Sequence, residues 1–217
     1  MPAKKKIYIV DDHPLMRKGM AMTLENSVEF EVCGQSESAE EALGEIPRLK
    51  PDGCVIDISL PGMNGIELVK NLLAQMPDLK ILMVSRHDEE LYAERAIRAG
   101  AKGYLMKLEA GEVLVSAVRQ VMNGSIYLSD KIGSQLIMKI ASGQSAGENP
   151  LELLSDRELE VFELTGKGES TKEIARRLHV SVKTVDTYRA RIKEKMHLKT
   201  ANELMRKAVQ WVEGGSV

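Results

Sequence analysis

The chain has 217 residues, 43% of them hydrophobic and 29% charged, with a formal net charge of −2. That composition describes a soluble globular protein of one or two domains, and no apolar run reaches the ~18 residues a membrane helix needs. The basic start is followed by an apolar run shorter than the roughly 7–15 residues of a secretory signal core, and Cys33 and Cys54 lie within apolar runs. A cytoplasmic protein with two buried free thiols, no disulfide and no cysteine metal site is expected.

From the N-terminus to about Gly124, short β-rich runs alternate with segments of helical spacing. The runs are Ile7–Val10, Glu31–Gly34, Gly53–Ile58, Lys80–Val84 and Gly103–Met106. Pro14 suits the first turn of a helix, and Leu15, Met20 and Leu24 continue its apolar face. Further faces follow at Ala39–Ile46, Ile66–Leu73, Leu91–Ile97 and Val113–Val121, the last two closed by Gly100 and Asn123-Gly124. Five strands alternating with five helices predict a doubly wound α/β domain: a five-stranded parallel sheet with helices on both faces.

In such a sheet ligands sit outside the carboxyl ends of the strands. Asp11 and Asp12 end the first strand, Asp57 the third, Ser85 the fourth and Lys107 the fifth. Alone, each is ordinary, because strand-end acids are commonly turn residues or caps and lone lysines extend to solvent. Together, three carboxylates repel one another unless a cation neutralises them, and Mg²⁺ is a hard ion suited to oxygen ligands. With Lys107 as a point charge and Ser85 as a hydroxyl donor, the set makes an electrophilic cradle for phosphoryl transfer to an Asp nucleophile.

The motifs "VDDH" (10–13), "VIDISLPGMNGIEL" (55–68), "MVSRH" (83–87) and "AGAKGYLMK" (99–107) resemble the receiver domain of two-component response regulators across residues 1–124. The resemblance implies a flavodoxin-like strand order 2-1-3-4-5 and a phosphoryl group accepted by Asp57 from a sensor histidine kinase. It implies Mg²⁺ held by Asp11, Asp12, Asp57 and the Ser59 carbonyl, with Lys107 paired to the phosphoryl group. Ser85 and Tyr104 would be the switch residues. The chain departs from the family pattern at Arg86, read as a solvent-exposed side chain, and at Leu108, where many receivers carry a cis proline. The resemblance also implies that Ser59 and His87 occupy positions that in the family influence phosphoryl lifetime.

Residues 125–150 read as a linker with a short helix over 129–141, then "SGQSAGENP" (142–150), rich in small and polar residues. Residues 151–217 are helical throughout. Within 171–199 there are nine Lys and Arg against three Asp and Glu, a candidate nucleic-acid surface that a solvated helix face would also explain. Ser170 with Glu173 forms a capping-box pattern, "HVS" (179–181) a turn, and Ser181 caps the next helix. Val185, Tyr188, Ile192 and Met196 line one side of that helix. Lys183, Asp186, Thr187 and Ala190 point away, flanked by Thr184, Arg189, Arg191 and Lys193. This is helix-turn-helix geometry, with side chains suited to phosphates and base edges.

"LSDRELEV" (154–161), "KEIARRL" (172–178) and "SVKTVDTYRARI" (181–192) resemble the LuxR-type (NarL/FixJ-type) DNA-binding domain, a four-helix module. The resemblance implies a recognition helix at about 182–196 and dimerisation through the last helix, about 201–212. The sequence as a whole is read as a phosphorylation-controlled transcription regulator. Its expected partners are promoter DNA, a sensor histidine kinase and a second copy, with RNA polymerase a further candidate and no membrane. It is not read as an enzyme beyond slow self-phosphorylation from small donors and self-dephosphorylation at Asp57. Two rivals remain: a phosphatase of the haloacid dehalogenase type, which would need an acid where Ser59 stands, and a DNA-binding protein indifferent to phosphate.

Overall fold

A computed structural model of the chain describes residues 3–141 and 150–214. The chain divides into two compact units, Met1–Ser142 and Gly143–Val217. The segment 142–149, which the sequence reads as a linker, lies outside the described residues.

The first unit holds β1 (Lys5–Val10), α1 (Pro14–Glu25), β2 (Phe30–Ser36), α2 (Ala39–Leu49), β3 (Gly53–Ile56), α3 (Gly65–Gln75), β4 (Lys80–Ser85), α4 (Glu89–Arg98), β5 (Gly103–Met106), α5 (Ala110–Met122) and α6 (Asp130–Ala141). The strands form one sheet in the order β2-β1-β3-β4-β5, every pairing parallel. A crossover helix between parallel strands must cover a sheet face, so the strands are buried on both sides and read as unbroken apolar runs. Ile7, Ile9, Val55, Leu82, Val84 and Leu105 pack against Leu24 of α1 and Leu114, Val118 and Val121 of α5. Side chains of opposite parity face the other way: Tyr8, Val10, Cys54, Ile56, Ile81 and Met83 are all buried. Helix starts follow local capping chemistry, with Ser38, Asn64 and Asp88 each accepting a backbone N–H in the first turn of α2, α3 and α4.

The sheet ladder continues one residue past the strands. Asp57 N donates to Val10 O (2.8 Å), Asp11 N to Ser36 O (3.2 Å) and Lys107 N to Ser85 O (2.7 Å). These bonds fix the backbone of three charged residues at one rim.

The first unit runs beyond Gly124, where the sequence alone places the domain end. Tyr127 lies along β5, with Tyr104 N donating to Tyr127 O and Tyr127 N to Lys102 O, both at 2.9 Å. Helix α6 then packs against α4. Ser129 donates to Glu89 (3.0 Å), Lys139 pairs with Glu94 (3.0 Å) and Lys131 pairs with Glu90.

Among its described residues the second unit has a 3-10 turn at Pro150–Leu153 and four helices: α7 (Asp156–Gly166), α8 (Thr171–Arg177), α9 (Val182–Lys195) and α10 (Ala201–Gly214). Capping boxes start α7 (Ser155 with Glu158) and α8 (Ser170 with Glu173). Leu159, Phe162, Ile174, Val185, Ile192, Leu204 and Ala208 are buried in this unit.

Candidate functional site

The rim of the sheet gathers the sequence-predicted residues. Lys107 Nζ lies 2.6 Å from Asp57 Oδ2 and 2.7 Å from Asp11 Oδ2. All three side chains are nearly inaccessible, whereas Asp12 is partly exposed at the edge. Asp11 Oδ1 accepts from the backbone of His13 at 2.8 Å, and the Arg17 guanidinium donates to the Asp11 carbonyl at 2.5 Å. Burial pushes the Asp57 carboxyl up to about 6; Lys107 opposes that rise, while Asp11 and Asp12 add to it.

Ligand atoms of Asp11, Asp12, His13 and Asp57 all lie within 4.8 Å of one another. Asp11 Oδ2 and Asp12 Oδ1 accept no aligned hydrogen bond, although Lys107 and the His13 ring stand close to them. Three carboxylates outnumber the two cations that reach the cluster among the described residues, Lys107 on Asp11 and Asp57 and Arg17 on the Asp11 carbonyl, and leave net negative charge among oxygen donors. A hard divalent cation such as Mg²⁺ fits that donor set.

The remaining rim residues converge on the loop after β4. Ser85 Oγ accepts from His87 N (3.2 Å), Tyr104 Oη donates to His87 O (2.7 Å), and Ser59 Oγ is 2.7 Å from His87 Nε2. The His87 ring also stacks on Tyr92, with centroids 4.5 Å apart. Tyr104 is buried and turned inward. Arg86 is exposed, as the sequence suggested, and among the described residues there is no cis peptide, so Lys107–Leu108 is trans. Two neighbours escaped the sequence reading. His13 stands 2.5 Å from Asp12 Oδ1, and its only signal was adjacency to the paired acids. Arg17 lies one helical turn on, a spacing that many surface residues share.

In the second unit α8 and α9 meet through a turn in which His179 takes a left-handed backbone conformation (φ 53°). Ser181 caps α9 by accepting from Thr184 N at 3.0 Å. Val185 and Ile192 are buried, and Lys183, Asp186, Thr187, Ala190 and Arg191 are exposed. Thr184 and Lys193 sit half-buried at the borders of that face. Arg189 does not join it: its guanidinium donates to Thr171 Oγ1 (2.7 Å) and Thr165 Oγ1 (3.2 Å), tying α9 to α8 and α7. Helix α10 packs on α7, with Trp211 against Phe162 at 5.9 Å between rings.

Two family models match the chain. The response regulator receiver domain matches residues 7–119, and the bacterial regulatory proteins of the luxR family match residues 152–208. Among curated relatives, the oxygen regulatory protein NreC of Staphylococcus carnosus is 37% identical over 210 residues, 94% of this chain and 97% of that protein. The response regulator GacA of Pseudomonas aeruginosa is 36% identical over 205 residues, 94% of this chain and 95% of that protein. Among solved structures, RcsB of Salmonella enterica serovar Typhimurium, bound to promoter P1flhDC in the presence of the phosphomimetic BeF3-, aligns with a TM-score of 0.63. It is 25% identical and covers 95% of this chain and 98% of that one. The chain belongs to the two-component response regulators in which a receiver domain is joined to a LuxR-family DNA-binding domain.

Proposed function

We propose that Asp57 is the phosphoacceptor of this regulator and that its phosphorylation controls promoter binding by α9. The observation that supports this most is Lys107 spanning Asp57 and Asp11 at 2.6 and 2.7 Å beside a third acid, Asp12. In the reaction an Asp57 carboxylate oxygen bonds to phosphorus as the P–N bond of a kinase phosphohistidine breaks. The imidazole leaves and takes a proton from solvent. Asp11, Asp12, Asp57 and the Ser59 carbonyl would hold Mg²⁺, which when bound supplies charge neutralisation around the phosphoryl oxygens. Lys107 exchanges its carboxylate partners for a phosphoryl oxygen.

The new group adds about −1.5 to −2 charges where burial already disfavours one. Ser85 turns its hydroxyl toward that group and gives up the His87 N–H. His87 also carries the acceptor for Tyr104, so the loop, α4 and β5 re-pack together. Dimerisation, release of α9, or both follow, with α10 as the dimer helix of the second unit. Thr184, Arg191 and Lys193 face phosphates, and Lys183, Asp186, Thr187 and Ala190 face bases. Arg189 is left out because its guanidinium is committed within the unit. The protein works in the cytoplasm, partnered by a sensor histidine kinase and in promoter complexes by RNA polymerase. Its only catalysis is slow self-phosphorylation from small donors and self-dephosphorylation.

Intact-protein mass after incubation with a small phosphodonor and Mg²⁺ tests the reading. One added phosphoryl group on wild type, none on Asp57→Ala, and tighter promoter binding by the loaded protein are expected. Equal DNA affinity and oligomeric state before and after loading would refute it.

A further inference from the structure

We propose that Asp186 sets the base preference of the DNA-binding unit by selecting cytosine in the major groove. The inference rests on α9 being the recognition helix. Among the groups that the exposed face of α9 turns outward, hydrogen-bonding chemistry at the centre is scarce. Thr187 Oγ1 donates to the Lys183 carbonyl at 2.9 Å, so its hydroxyl is engaged within the helix and its methyl is presented outward. Ala190 offers only a methyl group. Thr184 Oγ1 is 2.7 Å from Ser181 Oγ at the helix start. Arg189, the guanidinium nearest the middle of the helix, is turned away to Thr171 and Thr165. Lys183, also exposed on this face, can only donate, so the exposed Asp186 is the carboxylate acceptor that the face offers.

An ionised carboxylate only accepts hydrogen bonds. In the major groove the donors are the amino groups of cytosine and adenine, while guanine shows two acceptors and thymine one. Adenine places its N7 acceptor beside the amino group, which repels a carboxylate; cytosine has no acceptor of its own there. Cytosine is therefore the base this side chain takes. The methyl groups of Thr187 and Ala190 suit thymine methyls beside it. The negative charge also lowers affinity for DNA as a whole, so Asp186 gains its selectivity partly by repelling wrong sequences.

The test is selection of duplexes from a random pool by the full-length protein, phosphodonor-treated and untreated, followed by fluorescence anisotropy on the selected duplex. Wild type is expected to enrich cytosine at one position of each half-site. Replacing that cytosine is expected to weaken wild type roughly 5- to 150-fold, as one mismatched base pair in a specific site does. Asp186→Ala is expected to lose the preference at that position alone while binding random DNA at least as well as wild type. Asp186→Asn is expected to move it to adenine, with thermal unfolding unchanged in both variants. Identical selected sequences for wild type and Asp186→Ala would overturn the inference while leaving α9 as the recognition helix. Wild type that enriches no sequence would overturn the DNA-binding reading and this inference with it.

Discussion

Gly65 begins α3 directly beneath Asp57, so close that a β-carbon on Gly65 would collide with the Asp57 carbonyl oxygen. The Gly65 N–H also donates to the Ile58 carbonyl at 2.8 Å. The backbone carrying Asp57 is therefore seated on a glycine by steric necessity. Gly65→Ala is expected to destabilise the receiver by about 1–3 kcal/mol, the usual cost of overpacking a tight site. It is also expected to slow loading of Asp57 by small phosphodonors, because the backbone that positions Asp57 must move. Urea denaturation and intact mass measure the two effects. A variant with wild-type midpoint and wild-type loading would show that the contact is easily relaxed.

The cluster at the rim is built at a cost to stability. Burial holds the Asp57 carboxyl at about 6 against an ordinary 3.8, so the fold favours its neutral form. At neutral pH the charged form is kept against that preference, and Lys107 offsets only part of the cost. Asp57→Asn removes the charge at nearly constant shape. It is expected to raise the stability of the metal-free receiver by about 1–3 kcal/mol while abolishing phosphorylation. Mg²⁺ is expected to stabilise wild type by mass action and the variant less. Thermal unfolding with and without Mg²⁺ measures both, and a destabilised Asn variant would mean that the Lys107 pair outweighs the burial.

The strand-end acids were legible because each follows a run that must be buried on both faces, and the doubly wound topology carries every such run to the same rim. Strand ends themselves were less so: β3 stops at Ile56 rather than Ile58, and although Asp57 N still donates to Val10 O, the Ile58 carbonyl accepts from Leu60 N and Gly65 N in the loop that follows. Tyr127 beside β5 left no sequence signal, because a single bridging residue has no period. Its place depends on Gly103, where a β-carbon would stand 2.9 Å from both the Tyr127 carbonyl and the Leu82 side chain. Arg189 could have been read better. Four residues after Val185 it lies only about 40° from that buried position at ~100° per residue. Charge type suggested an outward phosphate contact, and helical angle was the stronger indicator. The partners it finds inside, Thr165 and Thr171, lie on other helices and were not predictable from spacing.

Helix α6 is expected to be held in place by apolar burial more than by charge. The pairs Lys131–Glu90 and Lys139–Glu94 are largely or partly exposed, and such pairs contribute at most about 1 kcal/mol each. Ile132 is only 3% exposed, and truncating a buried isoleucine to alanine costs about 2–5 kcal/mol. Ile132→Ala is therefore expected to speed amide exchange across 130–141 well beyond the effect of Lys131→Glu with Lys139→Glu. The order is read by hydrogen-exchange mass spectrometry on the full chain. The reverse order would make the charged contacts the true anchor.

Acid sensitivity of the second unit is expected to arise at Glu158. Burial raises its carboxyl, but hydrogen bonds from Lys195 and from the backbone and hydroxyl of Ser155 outweigh it and leave the group below its ordinary 4.5. Lys195 Nζ stands 2.6 Å from Glu158 Oε2, joining α9 to the start of α7. A carboxyl depressed in the folded state adds stability that is fully present above its unfolded pKa and is lost as pH falls through the lower, folded one. Lys195→Met removes the strongest of the bonds that depress it. The variant is thus expected to be less stable than wild type by a constant margin from pH 6 to 8, with the margin closing below about pH 4.5. Trp211, the chain's one tryptophan, lies against Phe162 in this unit and reports its unfolding by fluorescence. A margin that persists unchanged down to pH 3 would assign the role of Lys195 to packing of its stem on α7 rather than to its charge.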